Sequence, residues 1–195
     1  MRRVRGMFPP VQRGRRVERG FTLIEAVNAL ALTCAIVAVA MYFVATYLRH
    51  AKTAEAVGSL AAIAGAAAVY YDGSDANQPA GTPPESAKAM RHFPPGSHDS
   101  VPPKVATIRG TRYQSTLADW STSPWTELHF SMPQAQFYAY SFESQGRGPQ
   151  AKATAIAEGD LDGDGTLSHY ALTVAPDDTL HAKVSPTIDR LNPEE

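Results

Sequence analysis

Between residues 26 and 48 the chain contains no Asp, Glu, Lys, Arg or His, and only Asn28, Thr33, Cys34, Thr46 and two tyrosines interrupt its apolar side chains. A run that is apolar on every face predicts a helix without a polar side, and it exceeds the roughly 20 residues needed to cross a bilayer. Past residue 48 the period changes. Val57, Leu60, Ala64, Ala67 and Tyr71 recur at alternating steps of three and four, which predicts an amphipathic continuation of the same helix over 49–72, its stripe turned toward a folded domain. Asp72-Gly73 supplies the stop. A helix from Phe21 to Tyr71 would be about 75 Å long at its ordinary rise. Neither Pro nor Gly falls between Phe21 and Val57, so no kink is predicted there.

The region 73–124 reads as a loop region. It holds Pro79, Pro83, Pro84, Pro94, Pro95, Pro102, Pro103 and Pro124, a density that forbids long regular elements and leaves room for one or two helical turns over 85–91. From 125 to 195 the pattern is that of short strands. Leu128 and Phe130 alternate with Glu127 and His129 over 125–130; Tyr138, Tyr140 and Phe142 share one face of 137–142; 153–157 is short and apolar. Tyr170, Leu172 and Val174 share a face of 169–174, and Leu180, Ala182 and Val184 follow. Short connections favour antiparallel neighbours. The predicted fold class is therefore α+β: one long N-terminal helix packed on an antiparallel sheet of four or five strands.

Charge sets the topology. Seven arginines against Glu18 give the first twenty residues a charge of +6, so the rest of the chain carries −7 behind an overall charge of −1. An acidic remainder argues against nucleic acid as a partner, because phosphate binding needs clustered Lys and Arg. The arginines precede the apolar run, while only Arg49 and Lys52 closely follow it, so the positive-inside rule places the N-terminus in the cytoplasm and the residues beyond about 50 outside. Cys34 is the one cysteine, which excludes an intrachain disulfide and the paired-cysteine redox and zinc motifs.

An ordinary secretory signal is cut after its apolar part. Here the plausible processing point, Gly20, precedes the apolar part, so cleavage would discard the arginines and retain the helix. The stretch Gly20-Phe21-Thr22-Leu23-Ile24-Glu25, with its basic leader at 1–20 and the apolar helix after it, resembles the processing motif of type IV prepilins and of type II secretion pseudopilins. The resemblance covers roughly residues 13–71. It implies that a prepilin peptidase cuts after Gly20 and methylates Phe21, and that 21–48 serves as both transmembrane segment and assembly helix. It also implies a pilin-like fold, other pilin subunits as partners, and residence in a bacterial inner membrane with a periplasmic domain before entry into a pilus or pseudopilus. Phe21, Thr22, Leu23, Ile24 and Glu25 become the assembly residues. A carboxylate within a membrane costs on the order of 3 kcal/mol and usually marks function. In the family this glutamate meets the new N-terminal amine of a neighbouring subunit, so that two groups disfavoured in lipid neutralise one another. Many major pilins carry a proline near the end of the membrane segment; this chain has Tyr42 in that neighbourhood, which favours a minor pilin or pseudopilin over a bulk subunit.

Asp160, Asp162 and Asp164 alternate, with Gly165 at the sixth position. The spacing resembles the first half of an EF-hand-type calcium loop, in which Thr166 would offer a carbonyl and Ser168 a side chain or a water. The twelfth position is Ala171, so the bidentate glutamate is missing and a full EF-hand is excluded. A hairpin turn in which Asp and Gly supply only turn geometry stays open beside calcium. Some pilins and pseudopilins carry calcium in this region, as the resemblance implies.

No catalytic motif emerges. His50, His92, His98, His129, His169 and His181 lack zinc-ligand spacing, and Ser168 and His169, adjacent on a strand, should point to opposite faces. The chain is expected not to be an enzyme. Two function classes remain: a filament subunit, or a single-pass membrane protein whose exported domain binds calcium or another ligand without polymerising.

Overall fold

A computed structural model describes residues 21–74, 81–97 and 99–193. The chain divides into two compact units, Met1–Phe43 and Val44–Glu195. Helix α1, Leu23–Gly73, is 51 residues long and ends where the Asp72-Gly73 signal places its stop. Ser74 closes that end, its hydroxyl donating to the Tyr71 carbonyl, one of the four carbonyls a helix terminus leaves without a partner.

Within the first unit the described residues are Phe21, Thr22 and the start of α1, and their large apolar side chains, among them Leu30, Ile36 and Phe43, are exposed. Among the described residues one helix is long and apolar enough to cross a membrane, and it is α1.

In the second unit, Ala56, Leu60, Ile63, Ala64, Ala67 and Tyr71 form the fully buried stripe of α1. Val57, expected in that stripe, is half-buried, and Ala56 takes its place. The stripe belongs to one core cluster with the inner face of an antiparallel sheet. That sheet comprises β1 (Ala139–Gln145), β2 (Lys152–Gly159), β3 (Ser168–Pro176), β4 (Ala182–Val184) and β5 (Asp189–Leu191). Its order is β1-β2-β3-β4, with β5 also paired to β3. The register sets Tyr140 opposite Ala157 and Ala157 opposite Tyr170; one row on, Phe142, Ala155 and Leu172 line up. Each row is therefore bulky, small, bulky, which lets side chains interdigitate at interior density. Gly159 ends β2 for a related reason, since a Cβ there would lie 2.8 Å from the Tyr138 ring. The outer edge of β1 is covered: Val101 exchanges both backbone hydrogen bonds with Tyr140, and Ser97 N donates to Phe142 O. An edge blocked in this way does not pair with another chain.

Two expectations are corrected. The segment 125–130 is a series of turns instead of a strand. Trp125 and Leu128, three apart, are buried, and Phe130 packs on Trp120 and Trp125 with ring centroids 5.3 and 5.9 Å away. The spacing of three reflects compact turns in place of a pleat, so the sheet region begins at Ala139. In the loop region, α2 spans Pro84–Ala89 in place of 85–91, because Pro84 at the first turn needs no N–H partner and fixes a helical φ.

A second fastening ties α1 to the loop before β1. Glu55 Oε1 accepts from Phe137 N at 2.8 Å and from the Tyr140 hydroxyl at 3.3 Å. The Phe137 ring lies under two cations, Lys52 Nζ at 4.8 Å and the Arg112 guanidinium at 4.4 Å from its centroid. Burial pushes the Glu55 carboxyl above its ordinary value against the pull of these donors. Burial likewise pushes the Tyr138 phenol up to about 12.

Candidate functional site

Two places carry the chemistry anticipated from the sequence: the start of α1 and the turn between β2 and β3. Gly20 and the leader 1–20 lie outside the described residues. Phe21, Leu23 and Ile24 are exposed at 78%, 84% and 67%. Thr22 and Glu25 meet. Glu25 Oε2 accepts from Thr22 N at 2.9 Å and from Thr22 Oγ1 at 2.7 Å, while Glu25 N donates back to Thr22 Oγ1 at 3.3 Å. This is a capping box, in which two side chains satisfy N–H groups that a helix start otherwise leaves bare. The signal was present in the sequence as Thr-x-x-Glu directly before an apolar run. Glu25 therefore has a local role, fixing where the helix begins, and one of its two carboxylate oxygens carries both donations.

The β2–β3 turn gathers Asp160, Asp162 and Asp164. One carboxylate oxygen from each lies within 4.8 Å of the others, in the one acidic or histidine cluster of this kind among the described residues. The three are not alike. Asp160 is fully buried, while Asp162 and Asp164 are exposed. Asp160 Oδ1 accepts from Gly163 N at 2.7 Å and its Oδ2 from Gly165 N at 3.0 Å. Asp162 Oδ1 accepts from Asp164 N, and Asp164 Oδ1 from Thr166 N at 2.6 Å. That last bond, with a further contribution from the Thr166 side chain, holds the Asp164 carboxyl below its ordinary value. Gly163 and Gly165 adopt φ of 84° and 98°, a region that side chains with a Cβ rarely enter.

Thr166 thus closes the turn through its backbone N–H. Ser168 is buried at the base of the turn, where its hydroxyl donates to Gly159 O at 3.0 Å. His169 points the other way and pairs with Glu158 across the strands at 3.1 Å. Three carboxylates so close together suit a hard divalent cation such as calcium. The turn also meets cations of its own, from segments far away in sequence. Arg109 Nε lies 3.6 Å from Asp160 Oδ2, an Arg49 guanidinium nitrogen 3.8 Å from Asp162 Oδ2, and Lys52 Nζ donates to Leu161 O at 3.0 Å. Reading the sequence missed these partners because separations of some 50 to 110 residues leave no local pattern.

No protein-family model matches the chain, and neither a curated protein nor a solved structure matches it.

Proposed function

We propose that this chain is a structural subunit of a type IV filament, a minor pilin or pilin-like protein. In this reading a prepilin peptidase cuts after Gly20 and methylates Phe21. The helix holds the subunit in a bacterial inner membrane with the N-terminus cytoplasmic and the C-terminal domain periplasmic, until other subunits draw it into a pilus.

The observation that carries the reading is an order: basic leader, Gly-Phe-Thr-Leu-Ile-Glu, then one apolar helix that continues into the stripe packed on an antiparallel sheet. Each part alone is common. A helix whose first stretch exposes its apolar side chains and whose last stretch buries them solves two problems at once, anchoring in lipid and carrying a folded domain. The Thr22–Glu25 box adds a reason for the spacing, since it sets the helix start next to the amine that cleavage would create.

A type II secretion pseudopilin shares every one of these features and is the nearest alternative. The other reading, a single-pass membrane protein with a calcium- or ligand-binding exported domain that does not polymerise, draws on the three carboxylates within 4.8 Å. The filament reading is tested by shearing host cells and asking whether the chain leaves with the filaments. It should appear in the sheared fraction when the peptidase is active and stay in the membrane when the peptidase is deleted. Equal retention in both strains would favour the non-polymerising reading.

A further inference from the structure

We propose that Arg109 is the built-in counter-cation of the acidic turn, and that this turn is held closed by a guanidinium of the chain itself in the role that a divalent ion fills in loops of similar spacing. The inference stands whether or not the chain polymerises.

Asp160 is the starting point. Its carboxylate is fully buried, and a buried carboxylate is tolerated only when it is paired and hydrogen-bonded. Two backbone N–H groups, of Gly163 and Gly165, supply the hydrogen bonds. The opposite charge comes from Arg109, whose Nε lies 3.6 Å from Oδ2. The same oxygen takes the Gly165 N–H, so guanidinium and turn share it.

The segment bearing Arg109 is built to stay there. It follows a 3-10 turn, Val105–Ile108, whose last side chain, Ile108, is fully buried. Gly110 N then donates to the Asp160 carbonyl at 2.8 Å. Gly110, at φ +59°, packs flat on the turn: a Cβ there would sit 3.5 Å from the Gly163 Cα. Asp160 is thus gripped at its backbone by Gly110 and at its side chain by Arg109. A second guanidinium, of Arg49, stands 3.8 Å from Asp162, and Lys52 caps the Leu161 carbonyl. Three cations from two distant segments therefore converge on the turn, two of them at Asp160 and Asp162 and the third at the Leu161 carbonyl.

Coulomb repulsion among the three carboxylates is what a calcium loop resolves with its ion, and here the same repulsion is already offset. A guanidinium suits the task because it is always charged, weakly hydrated and rich in donors. A calcium ion entering the turn would meet the field of Arg109 as well as the carboxylates, and a unit charge a few ångströms away lowers its affinity on the order of tenfold.

The test uses the full chain purified from membranes in detergent, with calcium chloride as the probe, and reads melting temperature and calcium binding by titration. The wild type should melt at one temperature in chelator and in millimolar calcium. Arg109→Ala should melt lower in chelator, regain the loss in calcium, and bind calcium on the order of tenfold more tightly than the wild type. Arg109→Lys, which keeps the charge, should stay calcium-insensitive; it covers the case in which Arg109→Ala does not fold without calcium. The inference is overturned if calcium raises the melting temperature of wild type and Arg109→Ala alike, or if Arg109→Ala melts as the wild type does in chelator.

Discussion

Residues 23–48 and 49–73 belong to the same helix and are both rich in alanine, yet they dispose of their apolar surface in opposite ways. In the first stretch Leu30, Ile36 and Phe43 are each more than 60% exposed; in the second Leu60, Ile63 and Tyr71 are fully buried. The difference follows from period. A stretch apolar on every face cannot be covered by a single sheet, so it needs a solvent that is itself apolar or a ring of neighbours. A stretch with one stripe needs only the inner face of a sheet, and Tyr140, Phe142, Tyr170 and Leu172 provide it. One helix thus reports two surroundings, and the polar groups along it mark the changes: Thr22 and Glu25 at its start, Arg49, Lys52 and Glu55 where the second surroundings begin.

The largest expected effect breaks the comparison at matched leucines. Leu60→Ala should destabilise the domain by about 2–5 kcal/mol, through lost burial and the cavity left behind. Leu30→Ala should leave its unfolding unchanged. Both are read by the fluorescence of Trp120 and Trp125, which lie in the core; equal losses would mean that the two stretches are not differently partnered.

Glu25→Ala comes next. In the filament reading it removes the partner of the amine that cleavage would create at Phe21, and sheared filament protein should fall more than about tenfold. Cleavage after Gly20 should be undiminished. Normal incorporation of this variant would leave Glu25 with its capping role alone.

A smaller loss, about 1–3 kcal/mol, is expected of Asp160→Asn, which keeps one acceptor for the two turn N–H groups and removes the charge facing Arg109. Asp164→Asn, at an exposed position, should change stability far less. Thermal melts of both variants should keep that order.

The subtlest effect concerns Glu55. Its carboxyl is raised by burial, so the folded state holds the proton more tightly than the unfolded state does. The resulting stabilisation is full below the unfolded value and is lost as pH rises through the folded one. Within that window the fold should gain stability on acidification, and Glu55→Gln should remove that gain. A pH series of denaturant melts that is unchanged by Glu55→Gln would show that Phe137 N and the Tyr140 hydroxyl hold the charge at no cost.

The long helix and strands β1, β3 and β4 were legible in the sequence because each repeats a period that burial imposes, while the helix stop was read from Asp72-Gly73 and β2 from a short apolar run. The turn carrying Asp160, Asp162 and Asp164 was legible for the same reason: side-chain caps and positive φ values demand Asp and Gly at fixed offsets. What failed were places without a period. In 125–130 an apparent alternation concealed turns with Trp125 and Leu128 turned inward, since aromatic side chains are long enough to reach a core from irregular backbone. Strand β5 is exposed along its whole length, so no hydrophobic pattern announced it. The cations around Asp160 and Asp162, and the capture of Glu55 by Phe137 and Tyr140, are products of tertiary packing that only the fold brings together.

The central claim is the cut after Gly20, and the intact mass and N-terminal sequence of the chain extracted from its host membrane test it most directly. The account predicts a chain that begins at N-methylated Phe21 and has lost all seven leader arginines. A chain still carrying residues 1–20 in cells with an active prepilin peptidase would contradict it.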